Sequence, residues 1–131
     1  MNKIIAVDFD NTLFITNWPA ILRPIWPVIR KVQEEQANGA KIILWTCRTG
    51  KELDVAVDVC EKVGIHFDAI NDNVQEAIDE FGGDSRKIFA HEYWDDLCWN
   101  PVRDTPGVIA KDASVLLMSN QKDFEYKIKE E

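Results

Sequence analysis

The sequence predicts an α/β fold built on a parallel sheet, and three observations carry that prediction. Short apolar runs rich in strand-forming residues recur along the chain, beginning with Ile4-Ile5-Ala6-Val7 and Ile42-Ile43-Leu44-Trp45. Between these runs lie stretches whose apolar residues return at helical spacing and which stop at glycine. The runs also end in polar or charged groups, as strands do when their carboxyl ends line one crevice of an open sheet.

Taken in order, residues 4–7 form a first strand that meets Asp8-Phe9-Asp10-Asn11-Thr12. The stretch from Trp18-Pro19 to Trp26-Pro27 is stiff and amphipathic, a flap or contact loop, or else a place where two Trp side chains fill the edge of the core. A helix over residues 27–37 uses Ile29 and Val32 and stops at Gly39. The second strand, from Lys41, ends in Thr46-Cys47-Arg48-Thr49-Gly50. Residues 51–63 form a helix with Leu53, Val57, Cys60 and Val63 on its apolar face, closed by Gly64. A short strand lies near residues 65–70, followed by a helix opened by an Asn73 and Glu76 capping pair and closed by Gly82-Gly83. Ser85-Arg86-Lys87 then precedes the apolar Ile88-Phe89, and Glu92-Tyr93-Trp94 runs into Asp95-Asp96. A loop over residues 97–106, a last strand at 108–110 and a helix from Asp112 complete the expectation.

The chain has 131 residues and is 46% hydrophobic, which suits a single domain over 1–131 with one core. No segment approaches a membrane-spanning length and no charged leader precedes the first strand, so a cytoplasmic protein is expected. The net charge of -8, from 15 basic and 23 acidic residues, argues against a broad surface for duplex nucleic acid. Glu52, Asp54, Asp58 and Glu61 read as a solvated helix face. Cys47, Cys60 and Cys98 are an odd number without thiolate-pair spacing, and reduced thiols are expected. His66 and His91 read as structural residues.

Chemistry concentrates where the runs end. In a strand, alternation would send Asp8 and Asp10 to the same side of the chain. Two like charges about 4 Å apart at an effective dielectric near 20 repel by roughly 4 kcal/mol, so a divalent cation or a shared proton is needed. With Asp95 and Asp96, four carboxylates stand at strand ends, which suits a hard cation. A hydroxyl at Thr46 beside the backbone N–H groups of a glycine-containing turn suits an anionic oxygen, and Arg86 or Lys87 can reach a phosphate. Arg48 and the Asn71-Asp72-Asn73 turn fall on the same rim as candidate substrate contacts.

Asp8-Phe9-Asp10-Asn11-Thr12, then Thr46, then Lys87, then Asp95-Asp96 resembles the four motifs of the haloacid dehalogenase (HAD) superfamily of phosphohydrolases, in order and over nearly the whole chain. The resemblance implies a three-layer Rossmann-like fold around a central parallel sheet and a single HAD-like hydrolase domain. The short gaps after the first motif and between Thr46 and Lys87 imply a subtype with no cap domain. It further implies a Mg²⁺-dependent phosphatase in which Asp8 becomes the aspartyl-phosphate and Asp10 is the general acid and then the base. Thr46 would bond the transferring group, with Cys47 and Arg48 beside it at the substrate, and Lys87, rather than Arg86, would hold the charge. The metal shell would draw on Asp8, Asp10 through its backbone carbonyl, Asp95 and Asp96. Asn11 stands where many relatives have Gly, a position Asn tolerates because it adopts left-handed backbone more readily than most residues. Thr12 looks structural. The implied substrate is a phosphorylated small molecule or an accessible phosphate on a larger one, with a homo-oligomer as a possible lid. A receiver-like phosphoacceptor domain and a non-catalytic phosphate-binding module are the alternatives on a similar scaffold.

Overall fold

All four residues of Ile4–Val7 are buried, and that single fact decides the layering. A strand covered on both faces needs helices above and below it. In this computed structural model, which describes residues 1–100 and 104, the elements run in the order β1 (Ile4–Val7), β2 (Phe14–Asn17), β3 (Ala20–Pro24), α1 (Trp26–Ala37), β4 (Lys41–Leu44), α2 (Gly50–Lys62), β5 (Ala69–Ile70), α3 (Gln75–Phe81) and β6 (Glu92–Trp94). Four strands form one sheet in the order β5-β4-β1-β6, every pair parallel. Ile5 and Val7 face Ile29 and Val32 of α1 and Ala56 and Cys60 of α2. Ile4 and Ala6 face the other way, onto Val74, Ala77, Ile88 and Ala90. The described elements are therefore an α/β arrangement with helices on both faces of a parallel sheet.

The order of strands creates a crevice. From β1 the chain steps outward to β4 and β5, then crosses to the far side of β1 to lay down β6. The strand order thus reverses between β1 and β6, and in an open parallel sheet a crevice lies at the carboxyl ends of the strands that flank such a point. The gaps that would have to house a cap contain only the β2–β3 hairpin and, further on, α2, β5 and α3.

The expected helices form close to their sequence signals. Pro27 sits in the first turn of α1, where its missing N–H is no loss, and Gly39 follows with a φ of 95°. Gly64 and Gly82 close α2 and α3 at φ values of 87° and 75°. Three expectations change. The stretch around Trp18 is an antiparallel hairpin, Phe14 opposite Pro24 and Asn17 opposite Ala20. Prolines in such a run disguise a strand, because they are tolerated only where no ladder N–H is needed. The strand near residues 65–70 shrinks to Ala69–Ile70, with Ile65 and Phe67 buried outside it and the Asp68 carboxylate accepting the Ile42 N–H at 2.8 Å.

The third change concerns Asn73, which does not cap α3: the N-cap is Val74, with no side-chain bond. Its side chain, 8% exposed, reaches away from the helix. The amide nitrogen donates to Asp84 Oδ1 at 2.9 Å and to the Ser85 carbonyl at 3.0 Å, and the oxygen accepts from Phe89 N–H at 2.7 Å. One residue thus staples the segment leading to β6. His91 is structural as expected, its Nδ1 accepting the Ile4 N–H at 2.9 Å. The acidic residues of α2 are solvated, and no helix among the described residues is long and apolar enough to cross a membrane.

The chain divides into two units, Met1–Asp96 and Leu97–Glu131. The second is described only at residues 97–100 and 104, where the Asn100 N–H donates to Asp104 Oδ2 at 2.7 Å. The expected strand at 108–110 and the helix from Asp112 lie outside the described residues.

Removing the amide at Asn73 leaves the partly buried Phe89 N–H and the Ser85 carbonyl without this partner. Asn73→Ala should therefore lower unfolding stability by about 2 kcal/mol in a denaturant titration. A loss too small to measure would mean that these bonds do not hold the segment.

Candidate functional site

Asp8 is the first residue beyond β1, and its N–H donates to the Trp94 carbonyl at 2.9 Å, tying the end of β1 to the end of β6. That bond brings Asp8 beside Asp95 and Asp96, the two residues immediately after β6. One carboxylate oxygen from each of the three lies within 4.8 Å of the others, half-buried for Asp8 and exposed for the other two. The cluster sits at the point where the strand order reverses. Burial pushes the Asp8 carboxyl up, the Phe9 N–H opposes this, and Asp95 and Asp96 add to the rise, to about 7. The Thr12 hydroxyl, 3.4 Å from Asp8 Oδ2, adds a long contact.

Three carboxylates and no nitrogen or sulfur donor fit a hard divalent cation. Oxygens on opposite sides of one Mg²⁺ stand about 4.2 Å apart, and about 4.8 Å for Ca²⁺, from ordinary bond lengths. Three oxygens cannot all stand opposite one another, and neighbouring ones on Mg²⁺ stand about 3 Å apart, so carboxylates within 4.8 Å of one another would draw closer together on sharing an ion. Asp8, Asp95 and Asp96 could hold it.

Asp10 does not join them. The strand ends at Val7, and the Phe9 carbonyl accepts N–H groups from Thr12, Leu13 and Phe14, so the chain coils and the alternation that would have placed Asp10 beside Asp8 is lost. Asn11 takes the left-handed backbone expected of it, at a φ of 58°. The Asp10 carboxylate instead receives Arg48 Nε at 2.9 Å, Arg48 Nη2 at 2.7 Å and the Thr16 hydroxyl at 2.8 Å. Burial alone would raise its pKa, but the Arg48 and Thr16 bonds outweigh this and hold it below the usual carboxylate range. The expectation that the Asp8 and Asp10 carboxylates share one side of the chain is therefore corrected: the Asp10 charge is balanced by a guanidinium.

Arg48, expected at the substrate, is 1% exposed. Its guanidinium carbon lies 4.8 Å from the ring centres of both Phe9 and Trp18, and its remaining N–H groups reach the Pro19 and Glu52 carbonyls at 3.3 Å. A side chain so enclosed is committed to Asp10 and to the hairpin rather than displayed on an open rim. The hairpin is thereby explained, since Thr16, Trp18 and Pro19 all belong to it or its turn and all contact the Asp10–Arg48 pair.

Thr46 lies just beyond β4, half-buried. Its N–H donates to Asn71 Oδ1 at 2.8 Å and its hydroxyl oxygen accepts the Arg48 N–H at 3.1 Å, which leaves the hydroxyl proton to donate elsewhere. Cys47 beside it is exposed with a free thiol. Among the described residues Lys87 forms no ion pair; its ammonium lies 5.9 Å from the ring of Tyr93, on the strand that leads to Asp95. The adjacent Arg86 faces a different cavity, shared with Trp45 and Asn71. The partners that sequence reasoning missed are Thr16, Phe9 and Trp18. No spacing rule marks them, because their roles depend on a hairpin folding back over Arg48.

This geometry makes two outcomes measurable. A double-mutant cycle over Arg48→Met and Asp10→Asn, read by denaturant unfolding, should give a coupling of about 2 kcal/mol; coupling near zero would mean that the pair is not formed in solution. Because the folded-state pKa of Asp8 is raised, the folded protein binds the extra proton between about pH 4 and pH 7, so stability without divalent cations should fall as pH rises across that window and level off above it. Asp8→Asn should flatten this slope and raise the Tm of the cation-free protein at pH 8 by about 2–5 °C. An unchanged slope would contradict the crowding of the three carboxylates.

No protein-family model matches the chain, and no curated protein matches it. Among solved structures it is similar to a conserved protein coded by a locus of Bacteroides thetaiotaomicron, with a TM-score of 0.65 and 30% sequence identity. With the match covering 93% of each of the two chains, this chain belongs to the same family as that Bacteroides thetaiotaomicron protein.

Proposed function

We propose that this protein is a Mg²⁺-dependent phosphohydrolase of the HAD type, working through an aspartyl-phosphate on Asp8. The observation that carries the reading is the sorting of the acids. Asp8 shares a cluster with Asp95 and Asp96 at the switch point, while Asp10, two residues on, is held apart by Arg48.

In this reading an Asp8 oxygen attacks phosphorus, the ester P–O bond breaks, and the departing oxygen takes a proton from Asp10. A water then attacks the acyl phosphate, gives its proton to Asp10, and phosphate leaves as the Asp8 carboxylate is restored. Bound Mg²⁺ would supply positive charge against the phosphoryl oxygens and the Asp8 carboxylate. The Thr46 hydroxyl has a proton to donate to a phosphoryl oxygen, and Lys87, whose ammonium lies beside the Tyr93 ring, would have to reach the phosphoryl group from there. Arg48 and Thr16 favour the ionised Asp10, so the acid step requires at least one of these bonds to loosen when substrate binds. The small gaps after Asp10 and after Thr46 support an uncapped, open site.

The test is turnover. An aryl phosphate should be hydrolysed over many cycles in Mg²⁺, with the activity lost on chelation. Asp8→Asn should abolish it, and Asp10→Asn should slow it by about 10²–10⁴-fold. A single burst of one phosphate per chain would indicate a phosphoacceptor domain instead, and release indifferent to both substitutions would remove the mechanism.

A further inference from the structure

The crevice continues from Asp8 along the ends of the neighbouring strands. Trp45, just beyond β4, donates its N–H to the Val7 carbonyl at 2.9 Å, one residue before Asp8. Asn71, just beyond β5, donates its N–H to the Leu44 carbonyl at 2.8 Å. Trp45 and Asn71 line a cavity of 390 Å³ together with Asp72, Arg86 and Ile88. With strands about 4.8 Å apart, this cavity begins one strand from Asp8 and reaches a second strand about 10 Å away.

Its lining has a definite chemistry. Trp45, half-buried against the core cluster that contains Ile88, gives the cavity a partly flat apolar wall within a lining that is otherwise mostly polar. Around that wall stand two acids, Asp72 and Asp84, the hydroxyl residue Ser85, a guanidinium and an amide, with Asp84 already accepting from the Asn73 amide. Among the described residues neither Asp72 nor Arg86 spends its side chain on a hydrogen bond or ion pair. Asn71 commits its oxygen to the Thr46 N–H, which leaves its N–H₂ to donate. Flat apolar surface ringed by both donors and acceptors suits a planar heterocycle, which stacks through its face and hydrogen-bonds through its edge. A sugar esterified directly to the phosphoryl group would sit beside Thr46 and leave the far part of the cavity unfilled.

We infer that the substrate is a nucleoside monophosphate, with its ribose passing Thr46 and its base in the cavity walled by Trp45. This rests on the phosphohydrolase reading and adds the identity of the leaving group. Arg86 is then a leaving-group contact, distinct in role from its neighbour Lys87.

Two measurements test it. In heteronuclear NMR, with the Trp45 indole signal assigned by its disappearance in Trp45→Phe, millimolar adenosine, guanosine, cytidine or uridine should shift that signal and glucose should not. With Mg²⁺ present, the best nucleoside monophosphate should be hydrolysed with a kcat/KM at least about tenfold above glycerol phosphate, and Arg86→Ala or Asp72→Ala should lower that ratio about tenfold, mainly through KM. Active hydrolysis of an aryl phosphate with no nucleotide preference, or a Trp45 signal indifferent to every nucleoside, would overturn the substrate assignment and leave the phosphohydrolase standing. Phosphate release that survives Asp8→Asn would instead overturn the phosphohydrolase, and the substrate assignment with it.

Discussion

Three carboxylates held within 4.8 Å of one another at the junction of β1 and β6 are the constraint on which the rest depends. Nothing in the packing of the core asks for them. The hydrogen bond from Asp8 N–H to the Trp94 carbonyl fixes the two strand ends together, and the parallel pairing of Val7 with Trp94 leaves the next side chains no distant place to go. Partial burial, with repulsion from Asp95 and Asp96 added to it, then raises the Asp8 pKa to about 7. An arrangement that costs stability in the free protein is one that a cation relieves, and a site of this kind is ordinarily kept for chemistry.

Asp10 shows the opposite solution to the same problem. Its charge is met by a guanidinium enclosed between Phe9 and Trp18, and by the hydroxyl of Thr16. The two acids of one short motif are thus placed in contrasting surroundings, one crowded by like charge and one paired with opposite charge. Carboxylates whose environments push their pKa values apart are suited to different tasks in one reaction. The β2–β3 hairpin gains its purpose here, since it carries Thr16, Trp18 and Pro19 to the pair while leaving the crevice beyond the strands uncovered by any larger insertion before α1.

Much of the scaffold was legible because its signals are local. Gly39, Gly64 and Gly82 mark where helices stop, and the unbroken apolar runs at residues 4–7 and 42–44 mark strands buried on both faces. The cluster of Asp8 with Asp95 was legible for a topological reason, as strand ends converge in an open parallel sheet however far apart they lie in sequence. What failed did so where a local period was extended beyond its element. Alternation was carried from Val7 through Asp10, although the chain already coils at Phe9. Asn73 resembled a cap by spacing, but its amide serves Asp84, Ser85 and Phe89, contacts that no window of a few residues contains. Arg48 looked like a rim residue because arginines are seldom enclosed, and only the folded hairpin reveals its burial.

The most direct measurement of the central claim is the location of the phosphoryl group during turnover. If the protein is mixed with an aryl phosphate and Mg²⁺, quenched in acid within one turnover and digested, mass spectrometry should find an acid-stable, base-labile phosphoryl group on Asp8. A phosphoryl group on any other residue, or rapid hydrolysis with no covalent adduct at any time point, would contradict the account.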